Sequence, residues 1–249
     1  MDRGYQRDFS EHSPAMYRIM ERERKAKTML AILSEHFHKP LDKLSILDVG
    51  ASTGIIDNYL ADHFRHVVGI DIDQQAVDYA SRANRKNNLQ FVVADAMNIP
   101  FQAGEFDIVI CSQVYEHVPD AYRMMDEIHR VLSEGGVCYF AATNRLKLIE
   151  PHHNLPFLSM LPKWVADFYM RVMGKGTSYY ERHLTYWGLK QLVRKFEIID
   201  FTMRTVTEPI RFGTDYMLGD GSLKSALARF LLASAYWLSP GYIWLLRKD

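Results

Sequence analysis

Between Pro40 and Thr143 the apolar residues of this chain gather into five short runs, SILDVG, HVVGIDI, LQFVVAD, FDIVICS and VCYFAAT, with longer mixed segments between them. The runs are almost continuously apolar, the pattern of parallel strands buried on both faces by crossover helices. The intervening segments TGIIDNYLADHF, QQAVDYASRANRKN and VPDAYRMMDEIHRVLSEGG carry helical spacing. The Gly135-Gly136 pair that closes the last of them suits a helix C-terminus. This alternation predicts an α/β fold, a Rossmann-like doubly wound sheet of seven mostly parallel strands.

The flanks read differently. Ser13 followed by Pro14 is a helix-start pattern, and Met16, Ile19, Met20, Ala26, Met29, Leu30 and Leu33 recur at helical spacing after it, so a cover helix is expected over 14–38. The alternating α/β core, which the turn and acids described below make the cofactor-binding part, is expected over 43–145. Residues 146–182 hold Pro151, Pro156 and Pro162 among many aromatics and read as a lid or substrate insertion. A helix near Tyr186 to Lys195, a strand near Phe196 to Arg204, an apolar helix and a last strand near Tyr242 to Arg247 would complete the sheet over 183–249, so that 1–249 form one domain. From Ala226 to Leu246 the only charge is Arg229, but Ser239, Pro240 and Gly241 interrupt the run. It reads as a buried helix and strand, with peripheral membrane contact through 226–246 as the alternative.

Composition narrows the class. Of 249 residues 48% are hydrophobic and 24% charged, with 30 Lys plus Arg against 30 Asp plus Glu. Those proportions exclude disorder and fibrous repeats, and the balanced charge argues against a nucleic-acid partner. Cys111 and Cys138 both sit in apolar runs, without spacing for zinc, and point to a reducing compartment. The charged N-terminus has no apolar signal core, so a cytoplasmic protein is expected.

The candidate chemistry lies at the ends of the first three runs. Asp48-Val49-Gly50-Ala51-Ser52-Thr53-Gly54 is a small-residue turn between a strand and a helix, where backbone can approach a ligand closely. A dinucleotide fold would place G-x-G-x-x-G there. Asp48 beside the turn disfavours a pyrophosphate and suits a cation. Asp71, about twenty residues further on, is placed to accept from ribose hydroxyls, and Asp95 ends the third strand where an acid can accept from an exocyclic amine. Three such groups at the carboxyl ends of successive strands are where open α/β sheets bind ligands.

This constellation resembles the class I S-adenosylmethionine-dependent methyltransferases, and within them the small-molecule group that includes the ubiquinone and menaquinone biosynthesis enzymes. The resemblance covers roughly Lys43 to Thr143, including Phe106-Asp107-Ile108-Val109 and Tyr115-Glu116-His117-Val118. It implies S-adenosyl-L-methionine as cofactor, with Asp48, Gly50, Ala51, Ser52 and Gly54 around the methionine part, Asp71 and Ile72 at the ribose, Asp95 and Ala96 at the adenine, and Ser112 completing the set. Ser52 stands where the family commonly has Gly.

The implied reaction is in-line methyl transfer to an oxygen, nitrogen or carbon nucleophile of a small-molecule or lipid-like acceptor. His117 is the candidate general base. Tyr115, His152, His153, His183 and Tyr186 are candidate acceptor contacts. No metal is expected, since the histidines lack a compact ligand spacing and a sulfonium needs no Lewis acid. A non-catalytic cofactor-binding module and a nicotinamide-dependent oxidoreductase are the competing readings, the second disfavoured by Asp48 and the missing dinucleotide motif.

Overall fold

The computed structural model describes residues 6–216 and 223–249. Its strands are β1 (Ser45–Val49), β2 (His66–Asp71), β3 (Leu89–Val93), β4 (Phe106–Ser112), β5 (Leu132–Thr143), β6 (Glu197–Asp200) and β7 (Gly241–Arg247). They form one seven-stranded sheet in the order β3-β2-β1-β4-β5-β7-β6. β1 to β5 pair in parallel, and β7 runs antiparallel to both β5 and β6. This is the doubly wound sheet the hydrophobic runs predict. The order reverses between β1 and β4, and the carboxyl ends of those strands therefore diverge into a crevice.

The helices among the described residues are α1 (Phe9–His12), α2 (Ile19–His36), α3 (Ile55–Leu60), α4 (Gln74–Ala83), α5 (Ala121–Val131), α6 (Lys163–Val172), α7 (Tyr186–Leu192), α8 (Thr202–Thr207), α9 (Pro209–Phe212) and α10 (Leu223–Ser234). Asp73 caps α4 by accepting from the N–H groups of Gln75 and Ala76, and Asp120 caps α5 through Tyr122 and Arg123. Alternation along each strand divides the core in two. Ile46, Ile108 and Ile110 pack with Ala26, Met29, Ile32 and Leu33 of α2. Leu47, Val109 and Cys111 pack with Met124, Met125 and Ile128 of α5 and Leu189 of α7. Each such aliphatic side chain contributes about 1.5–3 kcal/mol on burial.

Three local expectations are corrected. Ser13 makes no side-chain cap among the described residues; Pro14 opens a 3-10 turn to Tyr17, and the long helix begins only at Ile19. The Gly135-Gly136 pair does not end a helix. α5 stops at Val131, and both glycines lie in β5, where a Cβ on Gly136 would come within 2.9 Å of the Asp107 carbonyl oxygen, so close passage of two strands is what requires glycine. The strand expected over Phe196–Arg204 ends at Asp200, because Asp200 accepts from the Thr202 N–H and starts α8.

The apolar stretch 226–246 is divided, as its Ser-Pro-Gly break suggests, but it does not make a continuous apolar face. Tyr242, Trp244, Leu245 and Leu246 are buried in β7, paired on both edges inside the sheet. Phe230 and Trp237 stay exposed. No helix among the described residues is long and apolar enough to cross a membrane.

Candidate active site

The turn after β1 is built by the strands beside it. The N–H groups of Gly50 and Ala51 both donate to the Ile70 carbonyl, at 2.8 and 3.0 Å, and the Ser52 N–H donates to Asp71 Oδ2 at 2.8 Å. Gly50 sits at φ +80°, and a Cβ there would lie 2.7 Å from Val114 Cγ2. Ser52 also has positive φ, at 53°, and its buried hydroxyl oxygen finds no hydrogen-bond partner among the described residues.

Asp71 also accepts from the Asp73 N–H at 2.9 Å through its other oxygen. Two of about four carboxylate acceptor positions are thereby used, and the rest remain for ligand hydroxyls. Burial pushes the Asp71 carboxyl up, while the Asp73 and Ser52 amides oppose that shift. Asp95 ends β3 in a tight turn in which its Oδ1 accepts from the Met97 N–H at 2.8 Å. Ile72 and Ala96 follow these acids and are part-buried.

Asp48 is buried in mid-strand and faces Asp57 of α3 and Arg22 of α2. Burial and the Asp57 charge raise the Asp48 carboxyl well above the carboxylate range, and burial pushes Asp57 up to about 7. Arg22 is a functional candidate that the sequence reading passed over. It is 9% exposed, its Nε has no hydrogen-bond partner among the described residues, and Asp48, Asp57 and Asp71 all act on it. A signal was present: Arg22 falls on the stripe otherwise filled by Ala26, Met29 and Leu33, where a buried cation needs a reason.

An N-terminal strap closes over the turn. Thr53 Oγ1 donates to the Met16 carbonyl at 2.6 Å, the Ser10 N–H donates to Asp73 Oδ2 at 2.9 Å, and Gln6 Oε1 lies 2.6 Å from His117 Nδ1. Phe9 packs on the His117 ring at 5.0 Å.

The five candidate acceptor contacts do not line the main cavity. Tyr115 is 1% exposed, donates to the Thr143 carbonyl and accepts from the Leu184 N–H, so its phenol holds loops together. Tyr186 packs among Tyr236, Tyr242 and Trp244. The three histidines join a cluster with buried carboxylates. His152 Nδ1 is 2.7 Å and His183 Nε2 3.4 Å from Glu150 Oε1, while His153 Nε2 is 3.5 Å from Glu181 Oε2. Burial works against charge on Glu181, but its bond to His153 and the charges of His152 and His117 hold it down, at about 2. Spread along the sequence, these residues are compactly spaced in three dimensions. Glu116, His117 and His152, and likewise Glu150, His152 and His183, bring ligand-type atoms within 4.8 Å of one another.

The cavity instead opens elsewhere. It has a volume of about 580 Å³ and is floored by Ser112, Gln113 and Ala141 to Thr143 at the carboxyl ends of β4 and β5. Met29 of α2, Thr205 of α8 and Leu232 of α10 wall it. Of the candidate site residues expected from the sequence, only Ser112 lines it.

Comparison with known proteins fits this geometry. Residues 47–140 match the methyltransferase domain family. The chain is similar to methyltransferase domains over that stretch, which is less than half of its length. It is 30% identical over 146 residues to a ubiquinone biosynthesis O-methyltransferase of Psychrobacter cryohalolentis, covering 56% of this chain and 53% of that protein. A protein of the same description from Coxiella burnetii is 28% identical over 161 residues, covering 61% and 64%. The chain thus spans between about half and two thirds of the length of these relatives. An S-adenosylmethionine-dependent methyltransferase structure from Mesorhizobium loti superposes with a TM-score of 0.57 at 18% identity, over 89% of this chain and 98% of that one, which shows the shared fold.

The residues of the matched stretch and of α2 fit S-adenosylmethionine. Asp71 keeps acceptor capacity, and Arg22 and Ser52 hold buried polar atoms with no hydrogen-bond partner among the described residues.

Proposed function

We propose that this protein transfers the methyl group of S-adenosylmethionine to an oxygen, nitrogen or carbon nucleophile of a small-molecule or lipid-like acceptor held in the 580 Å³ cavity. The observation that carries the reading is the position of that cavity. Its floor lies at the carboxyl ends of β4 and β5, and Val114, the residue after Gln113 of that floor, packs against Gly50 of the glycine turn. When bound, the cofactor supplies an electrophilic methyl on a sulfonium. The likeness to O-methyltransferases makes oxygen the first nucleophile to test.

In this reading Asp71 accepts from the ribose hydroxyls, Asp95 from the adenine amine, and the Gly50 to Gly54 backbone lies along the methionine chain. Arg22 offers its guanidinium to the methionine carboxylate, an ion pair that suits a cation already buried among acids. Ser52 adds its hydroxyl at the position where the family commonly has glycine. The apolar walls exclude water and hold the acceptor in line, the largest contribution available to a reaction of two bound partners. His117 does not reach the cavity wall. Its bond to Gln6 and its place among Phe9, His152 and Glu181 support a role in holding the strap over the cofactor, ahead of the proton-accepting role expected for it.

The test is transfer of tritium from methyl-labelled S-adenosylmethionine into organic-extractable material from a bacterial lipid and metabolite extract. Label should appear with the wild-type protein and fall at least tenfold with Asp71→Ala. Tight S-adenosylhomocysteine binding without any transfer would leave only the binding-module reading.

A further inference from the structure

The polar groups of the cavity wall are unevenly placed. Several hydroxyls line it, but their protons are turned back into the protein. Thr28 Oγ1 donates to the Arg24 carbonyl, Thr202 to Ile243, Thr205 to Thr202 and Ser239 to Gly241, while Thr143 donates to Gln113 Oε1. With these five hydroxyls turned inward, the wall there presents methyl and methylene surface, joined by Met29, Val206, Leu231 and Leu232. Charge remains at two points, Lys25 from α2 and Lys147 from the loop after β5. No carboxylate is among the described lining residues. The acids that act on these ammonium groups, Glu21 and Glu116 on Lys25 and Glu116 and Glu150 on Lys147, lie off the wall.

We propose that the cavity selects an anionic amphiphile, an apolar body carrying a carboxylate or phosphate that pairs with Lys25 and Lys147. As the acceptor class this rests on the methyl-transfer reading above; as a binding preference it rests on the wall alone. The volume holds on the order of twenty non-hydrogen atoms at the ~30 Å³ a water occupies in the liquid. An anion gains two charge-assisted partners without displacing a protein carboxylate. A neutral amphiphile gains only the apolar contacts, and an ammonium ligand would add a third positive charge beside the two lysines. Balanced net charge over the whole chain is therefore compatible with a cavity that is locally cationic.

The test is isothermal titration of the full chain with four probes below their micellar concentrations: dodecanoate, dodecyl phosphate, dodecanol and dodecylamine. Dodecanoate and dodecyl phosphate should bind at least tenfold more tightly than dodecanol, and dodecylamine most weakly. The double variant Lys25→Gln, Lys147→Gln should bring the two acids to within about threefold of dodecanol while leaving dodecanol unchanged. Leu232→Trp, and Ala228→Phe as a second wedge, should weaken all binding. The inference is overturned if dodecanol matches dodecanoate, if dodecylamine binds best, if the preference survives in the double variant, or if both wedges leave dodecanoate binding intact. S-adenosylhomocysteine titrated into the same samples checks that each variant is folded and separates the two claims. Its loss with acid preference retained refutes the methyl-transfer reading alone. Its retention with no acid preference refutes the cavity inference alone.

Discussion

The carboxylate of Asp71 accepts from the backbone N–H of Ser52 at 2.8 Å, so the acid that ends β2 also fixes the positive-φ turn that follows β1. One side chain thus serves two ends of the site. It sets the shape of the turn and keeps acceptor capacity for a ligand.

Asp71→Ala is expected to weaken S-adenosylhomocysteine binding at least tenfold by isothermal titration, because it removes a charged acceptor worth about 1.5–3 kcal/mol and releases the Ser52 amide. Asp71→Asn, which keeps one acceptor oxygen, should lose less. Equal affinity for Asp71→Ala and wild type would remove Asp71 from the site.

Gly50→Ala places a methyl 2.7 Å from Val114 Cγ2 at a φ of +80°. Left-handed backbone costs about 1–2 kcal/mol and overpacking about 1–3 kcal/mol more. The melting temperature should drop by several degrees, and Val114→Ala in the same chain should restore only the packing share. Full restoration would mean that the backbone angle carries no cost.

Asp57 gives a pH signature with a definite sign. Burial raises its folded carboxyl to about 7, above the ordinary value of 3.8, so between those limits the folded state holds a proton that the unfolded state has released. This group's contribution to stability therefore falls as pH rises from about 4 to about 7 and levels beyond. The melting temperature of Asp57→Asn relative to wild type should rise across that window; a difference independent of pH would show that Asp57 is not perturbed.

Glu150 organises the start of the lid. It is fully buried, accepts from the N–H groups of His152 and His153 at 3.0 and 2.7 Å, and bonds the His152 ring. Burial opposes its charge, yet the bonds from His152 and His183 hold its carboxyl below the usual range. Glu150→Ala strips partners from that network at a cost of about 3–5 kcal/mol, the range for a broken buried pair. Limited proteolysis should then cut within 146–182 well before wild type is cut, and unchanged protection would refute this role.

Tyr115→Phe separates the expected acceptor contact from the observed structural role. Leaving the Thr143 carbonyl and the Leu184 N–H without the phenol should cost about 1–3 kcal/mol. The melting temperature should fall with no change in the apparent KM for an acceptor. A raised KM at unchanged stability would return Tyr115 to the acceptor site.

The sequence by itself determined the sheet, the turn after β1 and the acids that end β2 and β3. Each is written in contiguous residues: continuous apolar runs for doubly covered strands, small residues where backbone must be approached, and carboxylates at strand ends. It could not separate Gly135-Gly136 as a strand crossing from the same pair as a helix end, because the deciding contact is with Asp107 in another strand. Tertiary structure alone decided the rest. Arg22 meets Asp48 and Asp57 only when α2 docks, and Glu150 meets His183 only when the lid closes on itself. The cavity draws Lys25, Lys147, Thr205, Leu232 and Ile243 from segments more than two hundred positions apart. Periodicity reports which face of an element is buried, whereas a pocket is defined by what faces it from elsewhere in the chain.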